Sequence, residues 1–263
     1  MKKVLFFLLI IFLLIVFGII FVLAYLGYIP GLSKLLGAET PRDLGITYTE
    51  ADKTAARAKS KIKYEELPAT TSVEKSYKFS GTRKINNSWS SAEMTALMNN
   101  RPWKYWPIKD VQIKFNADGT AELSGVVIKD KLIGYAQAIG VPQEVVSTVV
   151  SFLPPTPTFY LKGKASLEEN KVKDFEPQAV YLGKMPLPVD TLMAILDDRG
   201  FNPTYAADPI SELSKYQGKR EAIISFINDK LASLTGFYAK EAYFGDGKLY
   251  FDGNLSEKEA TVR

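Results

Sequence analysis

The sequence predicts an α+β protein, in which an N-terminal transmembrane helix precedes repeated helix–β-hairpin units that form a curved antiparallel sheet packed with helices. Three observations lead to this fold class. The first is an uncharged apolar run at residues 4–29. The second is a pair of similar stretches, NADGTAELSG at residues 116–125 and FGDGKLYFDG at residues 244–253. The third is the alternation of apolar residues around each Asp-Gly turn, which is typical of hairpins with one buried face.

The apolar run is long enough to cross a bilayer, because a helix needs roughly 20 residues to span its core. Lys2 and Lys3 precede the run, which favours a cytoplasmic N-terminus. A cleaved signal peptide is the alternative, with a cleavage site at residues 22–24. The apolar region of a signal peptide has only about 7–15 residues, however. We therefore expect an uncleaved single-pass anchor over residues 1–30 in the cell membrane, with the C-terminal part of the chain extracytoplasmic.

A juxtamembrane linker and a short helix are expected over residues 31–72. The linker is rich in proline and glycine, as in PGLSKLLGAETPRDLG. Thr49 and Asp52 then have the spacing of a helix N-cap, and alanines and charged residues follow. The stretch EELPATTSVEK is predicted to form a loop. Residues 73–263 are expected to form one extracytoplasmic α+β domain, which opens with a short strand in SYKFSG.

The first helix–hairpin unit of this domain begins at a capping box. Ser90 and Glu93 have the S-x-x-E spacing, and a helix with Met94, Leu97 and Met98 on one face follows. The stretch VQIKFNADGTAELSGVV then alternates with a period of two around Asp-Gly. This pattern predicts a hairpin.

A second unit near the C-terminus aligns with the first. The stretch REAIISFINDKL predicts a helix, and its offset from the first unit is 129 residues. After the turn the offset becomes 128, so the second turn is one residue shorter, which a structural repeat tolerates at a loop tip. The aligned pairs are Met98 with Ile227, Asn99 with Asn228, Ile113 with Ala242, Phe115 with Phe244, Gly119 with Gly247, Ala121 with Leu249, Leu123 with Phe251, and Gly125 with Gly253.

Helices and a hairpin are also expected between the two units. Residues 130–157 predict one or two helices, interrupted near Gly140 and stopped by Pro154 and Pro155. Residues 158–183 predict a hairpin with its turn near Asn170. Residues 185–200 predict a further helix that ends at Gly200.

The composition excludes several classes of catalytic and metal site. The chain has no Cys and no His, so Ser-His-Asp catalysis, Cys-His catalysis and thiolate metal sites are excluded. Its 33 basic and 29 acidic residues are spread along the chain, unlike the concentrated basic face of a nucleic-acid-binding protein. We expect no cofactor, no metal and no nucleic-acid partner, and no residue pattern marks an enzyme active site.

The two Asp-Gly stretches are interpreted as hairpin turns rather than calcium-binding sites. Residues 116–119 fit part of a calcium loop, but Lys114 stands where the first carboxylate ligand belongs. Asp-Gly is also a common hairpin turn. Gly125 and Gly253 follow at the same place in both hairpins and predict a β-bulge, or a place where another backbone or a ligand comes close.

A family resemblance accompanies these patterns. The apolar span, the INDKL and DGKLYFDG stretches and the GKMPLP junction resemble the YpmS-like and LmeA-like families of membrane-anchored envelope proteins. The resemblance covers roughly residues 90–255 and rests on turns and element order. It implies an anchored or exported protein and, as in some members, phospholipid bound in an elongated apolar groove.

Two stretches supply candidate ligand-binding residues. Trp103 and Trp106 lie in a loop with basic neighbours, a combination that suits a sugar ring or a lipid interface, although large aromatics more often cap a core. Residues 132–153 are apolar beyond a single stripe, so they form either a core helix or the wall of an acyl-chain groove. The candidates in this second stretch are Ile133, Val145, Val149 and Phe152.

The sequence favours a non-catalytic domain that binds lipid or another apolar envelope molecule. Its groove is expected between residues 132–153 and the inner faces of the hairpins. The alternative is a structural or interaction module of the cell envelope with a filled core and a protein or cell-wall partner. An open apolar cavity distinguishes the first function from the second.

Overall fold

The computed structural model describes residues 2–141, 143–186 and 219–263. Helix α1 covers Lys2–Tyr25, and helix α2 covers Leu32–Leu35. The side chains of α1 are described from Ile10 onward, and Phe12, Leu14 and Phe17 are among those that are mostly exposed. Over the described part of the chain, no helix is long and apolar enough to cross a membrane.

Two of the remaining helices begin at capping residues, and a third follows a strand directly. The predicted capping box at Ser90 and the predicted N-cap at Thr49 are confirmed, and Thr49 also forms a capping box. The Thr49 and Asp52 side chains each accept a hydrogen bond from the other residue's backbone N–H, and Ser90 and Glu93 form the same reciprocal pair. These helices are α3 (Glu50–Ser60), α4 (Ser91–Asn99), α5 (Lys129–Ala138), α6 (Gln143–Phe152) and α7 (Lys219–Ser233).

The strands form a large antiparallel sheet and a small mixed sheet. The large sheet has the order β3-β10-β9-β6-β5-β4, and β7 and β8 continue it beyond β6. The small sheet has the order β1-β11-β2, with β1 and β11 parallel. The strands are β1 (Lys63–Glu66), β2 (Tyr77–Ser80), β3 (Arg83–Ser90), β4 (Ile108–Phe115), β5 (Ala121–Val127), β6 (Thr158–Glu168), β7 (Lys171–Leu182), β8 (Met185–Pro186), β9 (Tyr238–Gly245), β10 (Lys248–Leu255) and β11 (Lys258–Thr261).

The long strand β6 makes the large sheet a curved half-barrel. One edge of β6 pairs with β7 along residues 159–168. On the other edge, β5 pairs with residues 158–163 and β9 pairs with residues 166–168. Strands β5 and β9 thus pair with successive parts of the same edge of β6. The β4–β5 and β9–β10 hairpins therefore diverge from β6 and enclose a concave face.

The two hairpins share a glycine of positive φ in the turn and a bulge. Gly119 and Gly247 both have positive φ in their turns. Opposite Gly125 the register shifts on β4 between Lys109 and Gln112, and opposite Gly253 it shifts on β9. The predicted bulge at these two glycines is confirmed.

The turns of the two hairpins also lie against each other. The rings of Phe115 and Phe244 stack with their centroids 5.2 Å apart. A Cβ on Gly119 would lie 3.3 Å from the carbonyl oxygen of Phe244, and one on Gly247 would lie 3.8 Å from that of Phe115. Each turn glycine therefore lies near the carbonyl oxygen of the phenylalanine in the other hairpin, and both the glycines and the phenylalanines are aligned pairs of the two units.

Helix α4 covers the outer edge of β4. Side chains at every fourth position of α4 accept hydrogen bonds from alternate backbone N–H groups of the strand, so this edge is not left open for pairing with another chain. The bonds run from Phe115 N to Ser91 Oγ, from Ile113 N to Thr95 Oγ1 and from Val111 N to Asn99 Oδ1, each 2.9 Å long.

The chain after α1 is fixed to one end of the large sheet. The Tyr28 hydroxyl donates to the Phe152 carbonyl at 2.5 Å, and the Thr158 hydroxyl donates to the Ala38 carbonyl at 3.1 Å. A Cβ on Gly183 would lie 3.2 Å from the Leu26 carbonyl oxygen. The segment that follows α1 thus lies where β6 begins and β7 ends.

Several expectations need correction or lie outside the described residues. The stretch EELPATTSVEK is not wholly loop, because β1 covers its first two residues and a 3-10 helix covers Val73–Lys75. Strands β3 and β11 and the short helix α2 were not predicted. The apolar stretch 130–157 forms two helices, α5 and α6, around Gly140, whose φ is 81°. The first two residues of the helix expected over residues 185–200 form β8 instead, and its other residues lie outside the described ones.

Candidate functional site

An apolar groove runs along the concave face of the half-barrel. It has two lobes with volumes of about 580 and 460 Å³. Both lobes are lined by Met94, Ala165, Phe244 and Leu249, so they meet at these side chains. Strand β6 forms the floor, since every residue from 161 to 167 lines one lobe or both.

The inner faces of the two hairpins supply the walls, as the sequence predicts. The larger lobe lies against β9 and β10, and it is also bounded by helices α4 and α7. The smaller lobe lies against β4, β5 and the middle of β7. The aligned hairpin residues that line the groove are Ile113, Phe115, Ala121 and Leu123 of the first hairpin and Ala242, Phe244, Leu249 and Phe251 of the second.

The small sheet closes the larger lobe with a polar end. Glu259 lies on the central strand β11, and its neighbours across the sheet are Tyr64 on β1 and Phe79 on β2. All three line the larger lobe, together with Arg101 from the loop after α4. The larger lobe therefore carries an ion pair at this end, and Glu122, Lys162 and Lys164 are the charged residues among the described lining of the smaller lobe.

Arg101 and Glu259 form a buried ion pair with incomplete hydrogen bonding. The Glu259 side chain is 2% exposed and that of Arg101 is 25% exposed. Arg101 Nη2 donates to Glu259 Oε2 at 3.1 Å and also donates to the Tyr77 hydroxyl. Glu259 Oε1 lies 3.1 Å from the same nitrogen but accepts no hydrogen bond, and Arg101 Nε has no acceptor.

A second guanidinium stands near this pair. The Arg57 guanidinium carbon lies 5.0 Å from the centre of the Tyr64 ring, and Arg57 Nη2 donates to the Asn100 carbonyl at 3.3 Å. Arg57 Nε is buried without an acceptor. Arg57 is not among the residues that line the lobe, so it acts on Glu259 through its charge.

Burial determines the protonation of the groups at the polar end. Burial raises the pKa of Tyr64 and of Tyr77, so both remain neutral hydroxyls at physiological pH. Burial also raises the pKa of Glu259, and the charges of Arg101 and Arg57 only partly oppose this. A buried ion pair stabilises a fold less than well-packed apolar residues of the same volume do. Buried groups with shifted pKa in a cleft are therefore candidates for function.

The stability of the protein is expected to depend on pH through Glu259. Its folded pKa lies above its usual value of 4.5, so the folded state holds this proton more tightly than the unfolded state does. The resulting stabilisation is complete below pH 4.5 and is lost as the pH rises through the folded pKa. The free energy of unfolding of the wild type, relative to that of Glu259→Gln, should thus fall as the pH rises from 4.5, as measured by urea denaturation. A rise over this range would mean that Arg101 and Arg57 outweigh burial.

The two tryptophans predicted as ligand contacts lie next to the polar end but line neither lobe. Trp103 is 4% exposed, stacks on Tyr77 with centroids 4.6 Å apart and donates from Nε1 to Ser76 Oγ at 3.3 Å. Trp106 donates to the Met98 carbonyl at 2.8 Å. The Arg101 guanidinium carbon lies 4.9 Å from the Trp106 ring centre. The tryptophans therefore surround Arg101 and its partner Tyr77.

The candidates from residues 132–153 lie away from the groove as far as they are described. Ile133 is half-buried on α5, and Phe152 at the end of α6 is 53% exposed. Neither lines either lobe. Nothing is described for the side chains of Val145 and Val149. Ligand contact by these four residues remains a prediction.

The Asp118 side chain is used within its own turn. Its Oδ1 accepts hydrogen bonds from the Thr120 backbone N–H at 2.9 Å and from the Thr120 hydroxyl at 2.6 Å. Within the described ranges, no three carboxylates are grouped as a metal site requires. These hydrogen bonds support the interpretation of residues 116–119 as a hairpin turn.

The polar end was not found from the sequence. Arg101 stands in the tryptophan-rich stretch, but its partner Glu259 lies 158 residues further on. The residue types around Glu259 gave no signal either, because the buried face of β11 carries the polar residues Glu259 and Thr261.

Comparison of the chain with protein-family models, with curated proteins and with solved structures gave no match.

Proposed function

We propose that this protein is a non-catalytic, membrane-anchored domain that binds a lipid or another apolar molecule outside the cytoplasm. The observation that carries the proposal is the apolar groove with its two connected lobes. Each lobe falls within the range of about 300–1,000 Å³ that is typical of small-molecule sites. Protein interiors are normally packed with few voids larger than a water molecule, so a groove of this size calls for an occupant.

The shape of the groove favours a long, flexible occupant. The lobes join end to end along β6, and the four residues at their junction are all apolar. An acyl chain matches such a lining, since each buried methylene contributes about 0.8 kcal/mol. The family resemblance, which implies an elongated apolar groove, agrees with this choice.

The arrangement of the N-terminal segment supports a site next to a membrane. Exposed apolar side chains surround α1 from Ile10 onward, and contiguous exposed apolar surface is typical of contact with lipid or protein. The end of this segment contacts Thr158 and Gly183, and the smaller lobe begins close by at Leu161. An anchor in the bilayer would thus hold the smaller lobe nearest to the lipid.

We also infer that the two helix–hairpin units are structural repeats that form the two sides of the groove. The shared bulge, the reciprocal contact of the turns and the groove-lining position of the aligned apolar residues support this inference. Two copies of one curved unit placed side by side form a longer concave face than a single copy does.

Filling the junction of the lobes should abolish binding. Ala165→Phe places a phenyl ring where both lobes meet, so the retained ligand should fall about tenfold or more, equivalent to ~1.4 kcal/mol or more. The full chain would be purified in a mild detergent, and native mass spectrometry would count the lipids that remain bound after the micelle is removed. Circular dichroism would establish that the variant is folded.

Ala58→Phe is the matched control, because Ala58 is exposed on α3 and lines neither lobe. It should retain ligand like the wild type. A wild-type chain that carries no ligand, or an Ala165→Phe variant that carries as much as the control, would contradict the proposal.

A further inference from the structure

Helix α1 leaves the domain at Ala24. The consecutive side chains from Ile10 to Ile15 are all exposed, and such a run points to every side of a helix. Ala24 is the first residue of the described part of α1 that is fully buried. Gly27 is buried too, and a Cβ on it would lie 3.2 Å from the Cβ of Pro154. The domain thus begins to cover the chain at the C-terminal end of α1.

The exposed part of α1 favours lipid as its surroundings. A helix that is apolar on all sides lies in a protein core or in a membrane. The described domain does not supply that core, because the side chains from Ile10 to Ile15 are exposed. A docked protein would cover one face of the helix, whereas lipid covers all of its faces.

Two large apolar side chains of the domain are exposed beside the end of α1. Leu35 on α2 is 81% exposed, and Phe152 at the end of α6 is 53% exposed. Phe152 is held there by the hydrogen bond between its carbonyl and the Tyr28 hydroxyl. Leu35 lies between Tyr28 and Ala38, and the Ala38 carbonyl accepts a hydrogen bond from Thr158 at the start of β6. The apolar surface of α1 therefore continues onto the domain.

The segment that follows α2 is packed on the sheet and is not a free tether. The Arg42 guanidinium carbon lies 3.8 Å from the centre of the Tyr160 ring on β6. Gln112 Oε1 on β4 accepts hydrogen bonds from the backbone N–H groups of Leu44 at 2.8 Å and Ile46 at 3.2 Å. The domain is thus held close to the end of α1.

The position of Tyr28 along the chain sets the depth of this surface in a bilayer. Tyr28 is three residues beyond Tyr25, the last residue of α1, which corresponds to ~5 Å along a helix axis. The polar layer on each side of the hydrocarbon core is about 5–8 Å thick. Tyrosine is enriched in this layer. A bilayer that contains α1 up to Tyr25 therefore places Tyr28 and its partner Phe152 in the polar layer.

We propose that the domain itself contacts the membrane beside α1, with the Leu35 and Phe152 side chains inserted in the interfacial layer. This inference rests on the proposed membrane anchor and adds a second contact next to it. A single helix leaves the domain able to rotate about the helix axis. A second contact beside that axis restricts the rotation, so the start of β6 and the smaller lobe near it stay close to the lipid.

Single labelled cysteines test the contact in the full chain, which contains no cysteine of its own. Leu35→Cys and Phe152→Cys would each carry an NBD fluorophore and be reconstituted in phosphatidylcholine vesicles. Quenching by a nitroxide-labelled lipid reports contact with the bilayer, and quenching by iodide on both sides of the membrane reports contact with water. Both labels should be quenched by the nitroxide lipid and be shielded from iodide severalfold relative to the control.

Ala58→Cys is the matched control. Ala58 is exposed on α3, and the next residue, Lys59, fixes α3 to α4 and β3 through Glu93 and Asn87. Its label should be quenched by iodide and not by the nitroxide lipid. Phe17→Cys tests the anchor itself, because Phe17 is exposed on α1. Its label should be quenched by the nitroxide lipid alone.

The outcomes separate the contact from the anchor. If iodide quenches the label at Leu35 or at Phe152 as strongly as the label at Ala58, while the Phe17 label is in lipid, the contact is overturned and the anchor stands. If iodide also quenches the Phe17 label, α1 does not lie in the bilayer and the proposed anchor fails together with the contact.

Discussion

Gly253→Ala is expected to destabilise the protein by about 3 kcal/mol or more, because no side chain fits at the bulge of the second hairpin. A Cβ at this position would overlap the carbonyl oxygen of Tyr238 and lie 3.1 Å from the Cα of Ala239. Both obstacles are backbone atoms of the paired strand, so relief requires the strands to separate. Urea denaturation of the full chain in detergent would measure the loss.

Alanine substitutions at two other glycines provide comparisons for the predicted loss of stability. Gly125→Ala should cost less, since the closest atom to its Cβ, at 2.9 Å, is the outer end of the movable Phe159 ring. Gly245→Ala is the control, because the nearest atom is 3.5 Å away on the Tyr243 ring. An equal loss for Gly253→Ala and Gly245→Ala would mean that the bulge does not need a glycine.

Elements with local signals were predictable from the sequence. The capping boxes at Thr49 and Ser90 involve residues three positions apart, and hairpin turns such as Asp246-Gly247 require no information from the rest of the chain. The alternation of apolar residues also indicated correctly which faces of the hairpins turn inward. For the same reason the hairpin walls of the groove were predictable.

Elements that depend on distant partners were missed. Strand β3 contains mainly polar residues, and only Ile85 and Trp89 among its residues are fully buried. It is a strand because β10 lies beside it, about 160 residues further along the chain. Strands β1 and β11 are four residues long each and pair in parallel, which no short turn can signal.

The apolar stretch 132–153 was expected at the groove because its composition exceeds one buried stripe. The structure divides it into two short helices that pack on each other, and Tyr135 contacts the Trp103 ring at a centroid distance of 5.4 Å. The amino-acid composition of a helix indicates how much apolar surface it has. It does not indicate which neighbouring element covers that surface. The wall of the larger lobe comes instead from α4 and α7.

Trp103→Ala should destabilise the fold by about 3–5 kcal/mol, the usual cost of removing a large buried aromatic. Trp103 stacks on Tyr77 and contacts Tyr135 and Tyr105, and its indole N–H is satisfied by Ser76. Urea denaturation would measure the cost. The less buried Trp106 is the comparison, and Trp106→Ala should lose less stability.

A second variant at this position distinguishes a structural tryptophan from a ligand contact. Since Trp103 lines neither lobe, Trp103→Phe should lose stability yet retain bound lipid like the wild type, because the apolar walls are unchanged. A loss of all ligand in Trp103→Phe at unchanged stability would instead place Trp103 in direct contact with the ligand.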